Sequence, residues 1–356
     1  MRSLFIYMLC FNLFGLVSLS AQDEANDSTV ITKAPGRTHV VKKDFDATNI
    51  DELKVTNKHG FVYVSSWEEE TIQVDITVNM ETRYESNLEE FLSLVSFEDR
   101  RYNRTSHLKT TFSEDFFSNY PFTINYRIKI PARLNLDINN SIGDVKIDSI
   151  SGAIKLKHSY GNLELTQIAP DKLLQLDLAF TEGLIDNFGE IKANLNNCTL
   201  NINNGQKLKG KTNYCMAGIT NVSVMELQTS TDRLTINQVD SLSLKGSQFI
   251  GKVKGLSNYL FCELERGQLL VEANQSVKEV TISNKRAKTT LTLPSELTYL
   301  LNGAVTNGSF THPSPQDLLL YKENGTVSFS GTIGETETPQ ANLILFNEDA
   351  SITIKN

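Results

Sequence analysis

Gly205-Gln-Lys-Leu-Lys-Gly210-Lys211-Thr212 spells the loop that cradles phosphate, in which backbone amides and a lysine hold the anion. That chemistry needs a strand before the loop and, after it, a helix whose N-terminal amides face the phosphate. The residues that follow, Asn213-Tyr-Cys-Met-Ala-Gly218, lack helical apolar spacing, so the match reads as turn chemistry. Pairs of acids such as Glu68-Glu69-Glu70 and Glu98-Asp99 are of the type that works on a glycosidic bond. Glu68 to Glu70 follow Trp67 in a turn, however, and read as a solvated loop. His39, His59, His107, His158 and His312 form no His-x-x-x-His pair, and there is no Cys-x-x-Cys. No metal centre and no cofactor are expected, and the histidines are assigned to turns and strand surfaces.

One stretch stands apart: Glu114-Asp115-Phe116-Phe117-Ser118-Asn119-Tyr120-Pro121-Phe122. Phe116, Phe117 and Tyr120, together with Trp67, are the candidate binding residues, because aromatic faces beside acids stack on a sugar ring or grip a partner. The alternative is that these rings fold back on Phe91 and Leu92 as a plug, since apolar loop residues usually find cover.

The first residues bear on where such a site would work. Met1-Arg2-Ser3, an apolar run from Leu4 to Val17 and the small residues Ser18-Leu19-Ser20-Ala21 have the order of a secretory signal peptide, residues 1–21. Cys10 lies inside the apolar run, so no lipid anchor is expected. No later stretch reaches 18 consecutive apolar residues, so no membrane span is expected either. Removing Arg2 with the signal takes the formal charge from −8 to −9. An acidic chain with no basic stripe along its sequence disfavours nucleic acid, and Lys285-Arg286-Ala287-Lys288 reads as a solvated turn. Cys198, Cys215 and Cys262 remain, too sparse for a disulfide framework.

The elements that must position these residues are short strands. Thr71 to Val78 alternates through Ile72, Val74, Ile76 and Val78, and Phe122 to Ile130 does the same. One helix is expected over 86–95, where Ser86 and Glu89 fit a capping box and Leu88, Phe91, Leu92 and Val95 fall at helical spacing. Beyond Pro131 a phrase of glycine, any residue, apolar, any residue, apolar recurs: Gly143-Asp-Val-Lys-Ile, Gly152-Ala-Ile-Lys-Leu and Gly161-Asn-Leu-Glu-Leu restart every nine residues.

Strands of about five residues bury too little to offset the entropy of ordering them, so they must stack. Two phrases make about 18 residues, close to one small β-solenoid coil. Asn139-Asn140, Asn196-Asn197 and Asn203-Asn204-Gly205 supply turns and the means to ladder from coil to coil. One coil would bring Cys198 beside Cys215, as two buried thiols in a column or, alternatively, as a disulfide. An antiparallel sandwich is the competing fold.

Val55-Thr-Asn-Lys-His-Gly60-Phe-Val-Tyr-Val-Ser-Ser-Trp67, then strand, helix, aromatic strand, Ile130-Pro131 and the serial glycine phrases, resemble the "putative adhesin" family of bacterial cell-envelope β-strand repeat proteins, over residues 45–354. That resemblance implies an exported protein of the periplasm or cell surface and brings no catalytic residues with it. The expectation is an all-β chain: a flexible leader at 22–39, a β-sheet cap with its helix at 40–130, and a solenoid-like repeat region at 131–356. Its expected function is a non-enzymatic adhesin-like or scaffold module, meeting envelope polysaccharide or protein through extended strand faces, with self-association through its ends. The alternative is a polysaccharide-active lyase or hydrolase on the same frame.

Overall fold

Alternation decides the first strands. In the computed structural model, which describes residues 36–334 and 338–356, Thr71–Met80 buries Ile72, Val74, Ile76, Val78 and Met80 and turns the intervening side chains outward. The signal peptide and most of the leader lie outside the described residues. The leader's last three residues already belong to strand Arg37–Asp46.

Arg37–Asp46 pairs antiparallel with Thr71–Met80, which pairs antiparallel with Phe122–Pro131. Pairing then turns parallel. Phe122–Pro131 lies beside Val62–Trp67, with Tyr126 opposite Val62, and Val62–Trp67 lies beside Val145–Asp148. A second path runs from Val95–Tyr102, antiparallel to Thr105–Phe112, through Glu52–His59 to Asn135–Ile142. Pairing thus crosses residue 131 without a break, within one compact unit from Pro35 to Asn356.

From here the chain repeats in register. Asn135–Ile142 and Val145–Asp148 both pair with Ile154–Thr166, each 18 residues on, as in Leu136 opposite Ile154 and Val145 opposite Leu163. After one step of 20 residues the interval settles at 17: Glu182, Thr199, Met216, Arg233 and Ile250 lie in successive parallel rungs. Two nine-residue phrases therefore make one rung. The interval stacks like on like, and Leu165, Ile185, Ile202, Ile219, Ile236 and Val253 form one buried column. Each such side chain adds roughly 1.5–3 kcal/mol of burial, which a lone rung could not obtain.

Strand length departs from expectation. Leu173–Asn196 runs 24 residues and Thr199–Asn213 runs 15, because the chain turns corners without leaving the ladder. One corner is turned by a residue in the left-handed region, with φ between 51° and 60°: Tyr160 and Phe180 turn it inside their strands, and Asn197, Tyr214, Thr231 and Gln248 turn it between one strand and the next. At Gly143 (φ 114°) a Cβ would stand 2.4 Å from the Gly60 carbonyl oxygen, so this corner takes glycine alone.

At the far end, Ala341–Glu348 inserts between Glu279–Lys285 and Tyr299–Thr306. Tyr299–Thr306 then pairs antiparallel with Thr326–Ile333, which pairs with Leu319–Glu323. The whole is an all-β, open, mixed sheet, parallel in the middle and antiparallel at both ends. Its helix is Glu85–Ser93, not 86–95. Tyr84 is the N-cap residue and no side chain caps the helix, so Ser86 does not form the expected capping box. Instead Thr82 Oγ1 accepts from the Tyr84 amide at 3.2 Å and from Asn87 Nδ2 at 2.8 Å. Leu94 ends the helix, and Val95 begins the next strand.

Candidate functional site

The four aromatics named from the sequence do not meet. Trp67 ends its strand opposite Pro131, and its indole nitrogen donates to the Thr71 carbonyl at 2.8 Å. Phe116 lies at the other end of Phe122–Pro131, a strand roughly 30 Å long. Its ring is 4.4 Å from Phe112, 5.6 Å from Phe91 and 5.7 Å from Phe122, centroid to centroid. Phe116 thus occupies the plug position, while Phe117 is 72% exposed and Tyr120 37%.

All eight residues of the phosphate-loop match lie inside strand Thr199–Asn213, where no helix follows. Glu68 to Glu70 form the exposed bend between Val62–Trp67 and Thr71–Met80, with Glu70 paired to Arg133 at 2.7 Å. Two histidines depart from the surface assignment. His158 is fully buried, with Nδ1 3.2 Å from the Asn140 carbonyl, and burial holds its pKa below the ordinary value. His312 is buried against Tyr299, Nε2 to hydroxyl 2.7 Å. The burial of His158 follows from the period of two in its strand, which puts the position on the inner face whatever its polarity.

Cys198, Cys215 and Cys262 are buried free thiols. Cys198 and Cys215 sit one rung apart, the Met216 amide donating to the Cys198 carbonyl at 2.9 Å. Each Sγ donates to the carbonyl two residues before it, at 3.4 and 3.3 Å. The adjacent Cys198 thiol and burial raise the Cys215 pKa, and burial pushes Cys262 up to about 12. Buried and protonated, Cys215 and Cys262 are poor nucleophiles. Among the described residues no group of three or more His, Cys, Asp or Glu could hold a metal ion.

What sequence reasoning missed is built across rungs. No lysine stripe runs along the chain, but the 17-residue register brings Lys192 opposite Lys209, and Lys211 opposite Asn194 and Gln228, with Lys245 one rung further. These residues line an open groove of about 710 Å³ together with Asp177. Lys209 pairs with Glu226 at 2.7 Å and Lys245 with Glu263 at 2.8 Å. Lys209, and after it Lys207, holds the Glu226 carboxyl below the usual range. Lys192 and Lys211 are exposed and have no carboxylate within ion-pair distance among the described residues. Amide ladders border the groove. Asn194 Nδ2 donates to Asp177 at 3.1 Å and Asn213 Nδ2 to Asn196 at 3.3 Å, each across one rung. The signal in the sequence was the interval itself: residues 17 apart become neighbours.

No helix among the described residues is long and apolar enough to cross a membrane. No protein-family model matches the chain, and no curated protein does. Solved structures do. One is described as a "putative adhesin" from Parabacteroides distasonis, 10% identical, covering 89% of this chain and 97% of that one with a TM-score of 0.36. Another is a "putative cell adhesion protein" from Clostridium sporogenes, 11% identical, covering 90% and 99% with a TM-score of 0.21. A third is a "putative lipid binding protein" from Parabacteroides distasonis, 9% identical, covering 89% and 97% with a TM-score of 0.33. Solved chains described as "putative adhesin" are thus among those that this chain is similar to.

Proposed function

We propose that this chain is an exported, non-enzymatic binding module of the bacterial cell envelope, adhesin-like, whose rungs wind as a solenoid and whose outer face holds an anionic polysaccharide. The observation that carries this reading is the groove, where Lys192 and Lys211 stand on an open face with no carboxylate partner among the described residues. Along that face the same side-chain position recurs at each rung, about 4.8 Å apart, so contacts individually weak add along an extended ligand. The hydrolase form of the alternative needs a carboxyl that stays protonated near neutrality. Glu226, the glutamate in the groove, is held ionised by its lysines.

The test is calorimetric titration of the full chain with polygalacturonate and with envelope polysaccharide, followed by the double variant Lys192→Glu/Lys211→Glu. We expect saturable binding that weakens with salt, and at least tenfold loss in the variant. Absence of binding to either polymer would refute the proposal, and release of shortened chains would move the protein to the enzymes.

A further inference from the structure

The corner ridge beside this groove carries side chains that its backbone does not favour. Tyr160, Phe180, Asn197 and Tyr214 occupy the left-handed corner of four successive rungs, at φ 55°, 51°, 53° and 52°. Asparagine is at home in that conformation and bulky side chains are not. Elsewhere on the same corner the chain uses Thr231 and Gln248, so the fold does not demand rings there. The three aromatics are nevertheless exposed, at 57%, 48% and 59%.

Tyr160 and Phe180 stack on one another, 4.8 Å apart and 3° from parallel. Tyr214 stacks on no other ring among the described residues. Between Phe180 and Tyr214 stands the rung of Asn197. The two aromatic positions are therefore two rungs apart, about 9.6 Å, and their matching backbone angles send both Cα–Cβ bonds the same way. Asn197 stands between them at the same φ, and its shorter side chain, held to Asn196, leaves the outer part of that gap to one ring. The opening is floored by amides: Asn197 Nδ2 donates to Asn196 Oδ1 at 2.9 Å, and Asn213 Nδ2 donates to the same oxygen at 3.3 Å.

We infer that the corner at Phe180, Asn197 and Tyr214 is a subsite for a neutral pyranose ring of a glycan chain, sandwiched between the two aromatics and hydrogen-bonded by the amide row. Aromatic faces suit the C–H faces of a sugar and amides suit its hydroxyls. A purely apolar occupant would leave the amides without new partners, and an anionic one would find no cation among these three residues. The Asn196 and Asn213 row leads straight to Lys211 and the groove, so one polymer can span both. The inference rests on the reading of the outer surface as a polysaccharide site and names which sugar chemistry it takes at the corner.

Phe180→Asn and Tyr214→Asn are the informative variants, because asparagine relieves the corner rather than straining it. The full chain is titrated with chitohexaose and with cellohexaose, both neutral. Saturable binding of at least one is expected, at least tenfold weaker in the double variant, with a melting temperature equal to or above that of the parent. If neither sugar saturates, or the double asparagine variant binds like the parent, the subsite is wrong. Polygalacturonate binding that persists in the asparagine variants would then keep the groove standing alone.

Discussion

His158 shows what one residue reveals about the interior. It follows Asn57 and Asn140 in a buried column at the corner and is succeeded by Leu178. Asn140 Nδ2 donates to the Gly60 and Gly143 carbonyls at 3.1 and 2.9 Å, which fixes the corner, and His158 Nδ1 reaches the Asn140 carbonyl. Burial lowers the pKa of His158, against the raising effect of the Asn140 and Gly161 carbonyls and of Asp144. The folded chain therefore binds this proton less readily than the unfolded chain, so stability is full above the unfolded value near 6.5 and falls as pH drops through it. One such site contributes a slope of at most about 1.4 kcal/mol per pH unit. Leu178, at the same position one rung on, shows that leucine fits there. His158→Leu should flatten the loss of urea-unfolding free energy between pH 6.5 and 5, and an unchanged pH profile would mean that other groups govern it. By its polarity alone this histidine reads as a surface residue. The period of two in Ile154, Leu156 and His158 was the better guide.

Among the elements, the helix and the aromatic loop show where local signals held and where they failed. Leu88 and Phe91 were legible as its buried face from their spacing, and both are buried. The cap was not legible, because Ser86-x-x-Glu89 is a local pattern, and Thr82, four residues earlier, captured the Tyr84 amide. The plug at Phe116 was one of two readings open from the sequence, since apolarity alone does not say which of two adjacent phenylalanines turns inward. The structure separates them: Phe116 joins Phe91, Phe112 and Phe122, and Phe117 points away at 72% exposure. Phe116→Ala should destabilise the chain by about 1.5–2 kcal/mol in chemical denaturation, since the ring is half-buried. Phe117→Ala should stay within about 0.5 kcal/mol. Equal effects would mean that the loop does not seal this end.

At the scale of the whole molecule, the repeat was legible and its winding was not. Nine-residue phrases gave a rung of about 18, and the register runs at 18, once at 20 and then at 17. Strand lengths were misjudged because a residue such as Phe180 turns the corner inside Leu173–Asn196 without the glycine that marks a break in sequence. The lysine face was hidden for a related reason: Lys192, Lys209 and Lys245 are neighbours only after folding. A stack of this kind takes its stability from contacts between adjacent rungs, so damage to one rung should stay near it. Ile219 is buried between Ile202 and Ile236 in the central column. Ile219→Ala should cost about 3 kcal/mol. In hydrogen exchange, the amides of Thr199–Asn213, Met216–Ser230 and Arg233–Ser247 should lose protection first, while Glu52–His59 and Val62–Trp67 keep theirs. If protection instead falls in step from Glu52 to Lys355, the antiparallel ends bind the stack into a single cooperative unit, and energies cannot be assigned rung by rung.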